Sequence, residues 1–445
     1  MDHELIVEHL LDRCKCFMEN ILQASDLHSV AAASLAIFAQ LRQVARDILQ
    51  AKIDLEAQQL QCTAVTPCCQ EADARYVHTR TVSPETLFGE VCIPVRTFQC
   101  SGCGASIRPD DHHLGVPEVG DFTDDVRVLY APLVAELPHR VANDLFQRCT
   151  GVALSSHGAQ GIIDSTAQEL QRWQATREPQ EEAAVTDALG AGDSGADLRM
   201  EIAMDGVMAP IDGRWQEVKV ATILVRRLEA PAEEPTLGAV LARRYVGILG
   251  SAEALAVRLK QMIHEAGWEL IPLGEIVGDG APWIWTVADA HFPGVRQTLD
   301  YYHLSEHLYA VANLQYPNHP TEAKAWVDQK MGALLMDRHG AVLSALKRMR
   351  PWKKAVCDAL PQLIGYVERN RFRIRYQEPW RHGLAVGSGA VEGACKHVIQ
   401  SRFKRAGMRW KSPGFLNVLA WRLARLNGTF QAFWASRGLV VQTWV

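Results

Sequence analysis

Residues 216–226 read QEVKVATILVR, and this run decides how the second half of the chain is read. Val218, Val220, Thr222, Ile223 and Val225 are β-branched, no glycine or proline interrupts them, and the segment predicts a strand. Working outward, residues 199–205 form a shorter strand ending on Asp205, and residues 244–249, RYVGIL, form a third. An amphipathic helix is expected over 252–266. Residues 269–278 lead as a strand into Asp279, and Pro282 opens a helix running towards Ala290. Residues 295–300 make a fifth strand, and another helix begins near His303.

Three strands able to pair antiparallel, then helix, strand, helix and strand, describe a layered α/β core of the RNase H-like type over residues 199–318. Residues 319–386 are mostly helical and read as an all-helical insertion; residues 387–445 complete the core. That completion begins in the stretch 384–409, LAVGSGAVEGACKHVIQSRFKRAGMR. Gly387 and Gly389 mark a turn, Ser388 is the expected N-cap, and Val391, Cys395 and Val398 form the apolar stripe of a helix. Glu392 is the last acid of the chain, and nine Lys and Arg follow it. Two readings of Glu392 stand side by side: a first-turn acid that complements the helix dipole, or a metal ligand beside a phosphate-binding surface.

Asp205 and Asp279 weigh on that choice. Each is placed at a strand end, where α/β sheets gather ligands, and each is followed by a glycine that lets a phosphate or metal approach the backbone. With Glu392 they supply three carboxylates that could converge on two divalent ions, the arrangement that phosphodiester chemistry uses. Hard oxygen donors with retained waters suit magnesium or manganese better than zinc. Each acid taken singly is equally well a solvated loop carboxylate.

The first half differs. Residues 1–60 read as helices, with Leu35, Ile37, Phe38, Leu41, Val44 and Ile48 at helical spacing, packed within the chain or against a second copy. Residues 61–115 hold six of the eleven cysteines. Cys100-Ser-Gly-Cys103-Gly is half of a zinc knuckle, since a two-residue spacer lets both thiolates face one tetrahedral ion. Upstream, Cys68 and Cys69 are adjacent and Thr66 stands where a paired cysteine would be, so Cys69 is joined by Cys68 or Cys62 as fourth ligand, or the site is incomplete. Residues 88–91 and 95–99 suggest the two strands of a hairpin in this zinc-ribbon-like region. Residues 116–175 have helix–turn–helix proportions, with Gly151 in the turn and Ser155 or Ser156 as second N-cap. Residues 176–198 are an acidic linker rich in Glu, Ala, Gly and Asp.

The composition, 48% hydrophobic and 22% charged over 445 residues, is that of a multidomain globular protein. The net charge of −5 gives no global nucleic-acid signature, but the last fifty residues are basic. No apolar run reaches membrane-spanning length and the N-terminus, MDHELIVEHLLDR, lacks a basic lead, so no membrane partner and a cytoplasmic location are expected. No G-x4-G-K-[ST] loop for a nucleotide is present.

Asp205-Gly206, GDGAPWIW over 278–285, LDYYHLSEHLY over 299–309 and GSGAVEG…RFKRAGMRW over 387–410 together resemble bacterial insertion-sequence DDE transposases of the ISKra type, distant relatives of Mutator-like transposases. The resemblance runs in order through most of 199–412, and FGEV…C-x2-C-G upstream resembles the family's zinc- and DNA-binding portion. It implies that Asp205, Asp279 and Glu392 form the DDE triad on two Mg2+ or Mn2+ ions, and that Asp300 and His303 form the family's D-x-x-H element. It further implies cleavage at transposon ends and strand transfer into target DNA, by a homodimer or higher oligomer associated with the nucleoid. Lys396, Arg402, Lys404, Arg405, Arg409 and Lys411 are then expected on the DNA backbone. Two further classes stay open: an endonuclease on the same fold without strand transfer, and a DNA-binding protein without catalysis.

Overall fold

The computed structural model describes residues 3–23, 29–70, 72–117, 121–179, 185–187, 198–228 and 236–439. Most of the linker expected over 176–198 therefore lies outside the described residues. The chain forms two compact units, Met1–Arg172 with Gln431–Val445, and Trp173–Phe430. The expected core completion over 387–445 is thus divided, its end grouping with the first unit. No helix among the described residues is long and apolar enough to cross a membrane.

The first unit opens with helices His3–Gln23 and Val30–Gln61, the second capped by Ser29, whose Oγ accepts the Ala32 N–H. Of the expected apolar stripe, Leu35, Ile37, Phe38, Leu41 and Ile48 are exposed, and Ile53 further along is buried. Five short strands follow: β1 (Ala74–Val82), β2 (Glu85–Thr86), β3 (Gly89–Glu90), β4 (Ile93–Cys100) and β5 (Ser106–Ile107). β4 pairs antiparallel with β1 and with β5, while β2 pairs antiparallel with β3 and bridges through Glu85 to Phe122. The expected pairing of 88–91 with 95–99 is therefore not formed. Thr86 closes its own tight turn by donating to the Gly89 carbonyl, 2.8 Å, and β4 finds its partner in β1. Polar and largely exposed, β1 lacks the apolar alternation that marks a strand in sequence. Val91, Ile93, Val95 and Ile53 make a small core beneath this sheet.

Helices Asp124–Glu136, His139–Thr150 and Ser156–Thr176 follow. Gly151 ends the middle one at φ 74°, and Ser155 starts the last by accepting the Gly158 N–H at 2.9 Å. Arg127 is buried between Asp124 and Glu169, 2.7 Å from each, a paired charge that fixes the first helix against the third.

The second unit is built on one five-stranded sheet of β6 (Leu198–Ile211), β7 (Arg214–Arg227), β8 (Val240–Ile248), β9 (Leu273–Gly278) and β10 (Arg296–Leu299), in the order β10-β9-β6-β7-β8. β6, β7 and β8 are antiparallel; β9 runs parallel to β6, and β10 parallel to β9. β6 does not end at Asp205: it continues to Ile211 and turns through Asp212 and Gly213, at φ 50° and 77°. Those two positive φ values make the tight turn whose twist matches the flanking strands, and the Asp-Gly dipeptide is its sequence signal.

Strand alternation assigns the two faces of the sheet. Met200, Ile202 and Met204, with Ile223 and Val225, share one apolar cluster with Leu255 and Leu259 of helix Ala252–Glu265 and Ile284 of helix Pro282–His291. Helices Tyr301–Gln315, Pro320–Leu335, His339–Arg348 and Lys354–Arg369 add Leu304, Val327, Leu346 and Leu363 to the same cluster. The helical insertion therefore shares the core of the sheet and has no separate one. The opposite face carries Glu201, Ala203 and Asp205, and over it the helical run 389–403 brings the buried Val391, Cys395 and Val398.

Candidate functional site

Met204, Gly278 and Leu299 lie side by side in the ladder, because Gly278 registers with Met204 on β6 and with Leu299 on β10. The next residues are Asp205, Asp279 and Asp300, so three acids leave three neighbouring parallel strands at one level. Asp205 reaches this position from within a long strand: the β9 ladder stops at Met204 while β6 continues along β7.

Each acid is held locally. Asp205 accepts the Gly206 N–H at 2.6 Å and the Cys395 thiol at 3.5 Å. Burial pushes its carboxyl above the ordinary value, the Gly206 amide works against this, and the charge of Asp279 adds to the rise. Asp279 accepts the Ala281 N–H at 2.9 Å, and its carbonyl accepts the Tyr366 hydroxyl at 2.7 Å. Gly280 must be glycine: its φ is 98°, and a Cβ there would stand 2.9 Å from the Tyr366 hydroxyl. The open approach expected beside both glycines is thus filled by protein, Tyr366 at Gly280 and the Glu217 carboxylate at Gly206. Asp300 is buried, caps its helix through the Tyr302 N–H at 2.7 Å, and receives the Ser388 hydroxyl on its other oxygen. Ser388 occupies the N-cap position of Gly389–Ala394 but makes no side-chain cap there; its hydroxyl donates to Asp300.

His303 lies one turn into the helix that Asp300 starts, half-exposed and 3.4 Å from Glu306. His307 packs against the Tyr366 ring at 4.1 Å, and burial, then the nearby His303, lowers its pKa. Tyr366, contributed by the helical insertion, touches Asp279 and both histidines, and nothing in its local sequence marks it.

Glu392 stands one turn before Cys395 on the helical run that covers Asp205, with its side chain 62% exposed and ion-paired to Lys396. Among the described residues Asp205, Asp279 and Glu392 are not drawn within 4.8 Å of one another as a set. The run is α-helical over Gly389–Ala394, π-helical over Cys395–Gln400 and α-helical again over Ser401–Phe403. Wide turns of this kind often accompany functional sites, and this one begins at the residue touching Asp205.

The basic residues divide. Lys404, Arg405, Arg409 and Lys411 are exposed, Lys404 lying over the Trp215 ring at 5.5 Å, while Lys396 is exposed but tied to Glu392. Arg402 is 0% exposed and sits against the Trp410 ring at 4.9 Å, so it cannot reach a phosphate as expected. Phe403 beside it is buried as well, and the Arg402 guanidinium also lies over the Phe403 ring at 5.6 Å. Trp285 is likewise core, beneath Arg373 at 4.5 Å.

In the first unit the Sγ atoms of Cys68, Cys69, Cys100 and Cys103 lie within 4.8 Å of one another, the only such group among the described residues. The adjacent pair is completed by Cys68, and Cys62 stays outside. The Gly104 N–H closes the Cys100 turn on the Cys100 carbonyl at 2.9 Å, and Asp73 and Ser101 are joined by two further bonds, 2.9 and 2.8 Å. Gly102 leaves room for the other half: a Cβ there would lie 3.2 Å from Cys69 Cβ. The backbone N–H groups of Cys103 and Gly102 pull the Cys100 thiol down to about 6, preparing a thiolate. Four convergent sulfurs fit a zinc ion held in a four-ligand structural site.

One further feature escaped the sequence. A bulge between Tyr76 and His78 shifts the β1 register, so that Arg75, His78 and Arg80 share one face of the edge strand. The side chains of all three are exposed.

Comparison with models of known protein families gives no match, and comparison with curated proteins gives none.

Proposed function

We propose that this chain is a DNA transposase that cleaves transposon ends and joins them to target DNA. The observation that carries the reading is the alignment of Asp205, Asp279 and Asp300 on neighbouring parallel strands, on a sheet face covered by the helix that bears Glu392. The strand order, with three antiparallel strands and two more added parallel to the first, is that expected of an RNase H-like core and supports the assignment. Asp205, whose charge is disfavoured by burial and by Asp279, has the environment of a carboxylate that a bound cation would relieve.

Asp205, Asp279 and Glu392 are hard oxygen donors that fit magnesium or manganese; two such ions bound there would activate the attacking oxygen and stabilise the leaving one. Tyr366 fixes the Asp279-Gly280 turn, and Asp300 fixes Ser388 at the head of the helix that carries Glu392. His303 faces the same end of the sheet and serves to orient a phosphate or a carboxylate. Lys404, Arg405, Arg409 and Lys411 hold the DNA backbone, which supplies affinity without sequence choice. The four-cysteine knuckle and the helices over 124–176 supply recognition.

A second reading, a DNA-binding protein without catalysis, is favoured by one observation: Glu392 is engaged by Lys396 and not by its proposed partners. Plasmid DNA carrying the gene with its flanks separates the two. Wild-type protein is expected to nick that DNA in magnesium, and Asp205→Asn, Asp279→Asn and Glu392→Gln each to lower nicking by at least about 10²-fold with binding retained. Near-normal nicking by a variant would remove that residue from the site. Binding without any nicking by wild type would establish the second reading, and nicking without strand-transfer products would leave an endonuclease.

A further inference from the structure

We propose that a cleft beside Asp300 receives a single unpaired nucleobase of the bound DNA, an inference that rests on reading the chain as a DNA-processing protein. The cleft measures about 820 Å³, within the range of about 300–1,000 Å³ that ligand sites occupy. It lies wholly in the second unit, among Tyr302, Tyr245, Trp380 and the glycine-rich start of the helical run that carries Glu392.

Three features give the occupant its chemistry. The first is aromatic surface. Tyr302 is 66% exposed, and its ring lies flat enough on the Gly387 backbone that a Cβ at residue 387 would come 2.5 Å from the ring. Its own N–H is held by Asp300, so the ring is fixed directly beside the acid row. Stacking on such a ring accepts any base, because every base has a π face. The second is exposed backbone: Gly389 and Gly393 line the cleft from one helix face, and a Cβ at either would meet nothing within 4 Å. A flat ring can lie against that backbone. The third is charge. Arg243 and His397 are exposed on the lining, and no Asp or Glu is among the lining residues, so a phosphate attached to the base meets no carboxylate. The acid row next door lacks this property, so the nucleotide whose base enters the cleft is a neighbour of the phosphate at the acids.

The test is a binding measurement without chemistry, in the absence of magnesium, on the full chain. Two probes are used: a DNA duplex with one extrahelical 2-aminopurine, and the same duplex fully paired. Wild type is expected to prefer the bulged duplex by about tenfold or more and to quench its emission by stacking. Gly393→Leu, which enters the cleft without displacing the chain, should abolish both preference and quenching and leave affinity for the paired duplex unchanged. Tyr302→Leu should weaken both. Equal affinity for the two duplexes with no quenching by wild type would overturn the proposal while leaving the DNA reading intact, as would preference retained in both variants. Failure to bind either duplex would overturn the DNA reading and the proposal with it.

Discussion

The cysteine knuckle and the acid row are both sets of metal-type ligands, yet they are assembled in opposite ways. The knuckle draws on two short segments, 68–69 and 100–103, the second closed by its own backbone bonds and tied to Asp73, and all four sulfurs lie within 4.8 Å of one another. The acid row draws on β6, β9, β10 and a late helix, and only sheet register aligns it. Local segments bring all four sulfurs together, as structural metal sites require, whereas register leaves the last proposed ligand, Glu392, on a separate element paired to Lys396. The lesson is that a site built from distant strands depends on the packing beneath it, and a site built from turns depends on its ion.

The largest expected effect attacks the closed site. Purified protein should carry about one zinc per chain. Cys100→Ser with Cys103→Ser should lose it and unfold β4 and β5 locally, as read by elemental analysis and hydrogen exchange. No zinc in wild type purified without chelators would break the contrast at its root. Next come neighbouring residues of the basic run. Arg402→Ala should cost about 2–4 kcal/mol of stability in chemical denaturation, because a buried side chain packed on Trp410 is lost. Lys404→Ala with Arg405→Ala should change stability by less than about 0.5 kcal/mol but lower the salt dependence of DNA binding by about two units. An unchanged salt slope would move the DNA elsewhere.

Below the row, Glu275 is fully buried, accepts the Thr298 hydroxyl at 2.6 Å, and is pushed up to about 8, first by burial and then by the charge of Glu201. The folded chain therefore keeps a proton that the unfolded chain releases above about 4.5. Stability from this group is full below that value and falls as pH rises from about 4.5 through about 8. Glu275→Gln should flatten that fall, seen as a weaker decline of melting temperature over this window; an identical decline would show that Glu275 does not hold its proton. The smallest effect is Tyr366→Phe. It removes one hydroxyl from the Asp279 carbonyl, and cleavage should drop about three- to tenfold, the worth of one hydrogen bond.

Much of this was legible in the chain itself. β-Branched runs marked β7, Pro282 marked a helix start, Gly151 and Ser155 marked a turn and a cap, and C-x2-C-G marked half of the knuckle. These signals work because they are local: a rotamer preference, a fixed φ or a missing Cβ acts within a few residues. β1 was missed because a polar edge strand has no apolar period to reveal it, and β6 was cut short although Asp212-Gly213 announced its turn.

Sequence by itself determined the five strands of the second unit's sheet in their chain order, its main helices, and the residue types able to hold a metal. Tertiary structure alone decided that Cys68 and not Cys62 completes the knuckle, that Arg402 is buried while Lys404 is exposed, and that the Ser388 hydroxyl binds Asp300 and does not cap its own helix. It also decided that Tyr366, far along the chain, sets the Asp279 turn. Which of two similar side chains faces a core, or which distant hydroxyl reaches a carboxylate, follows from packing among elements far apart in the chain, and no local propensity encodes it.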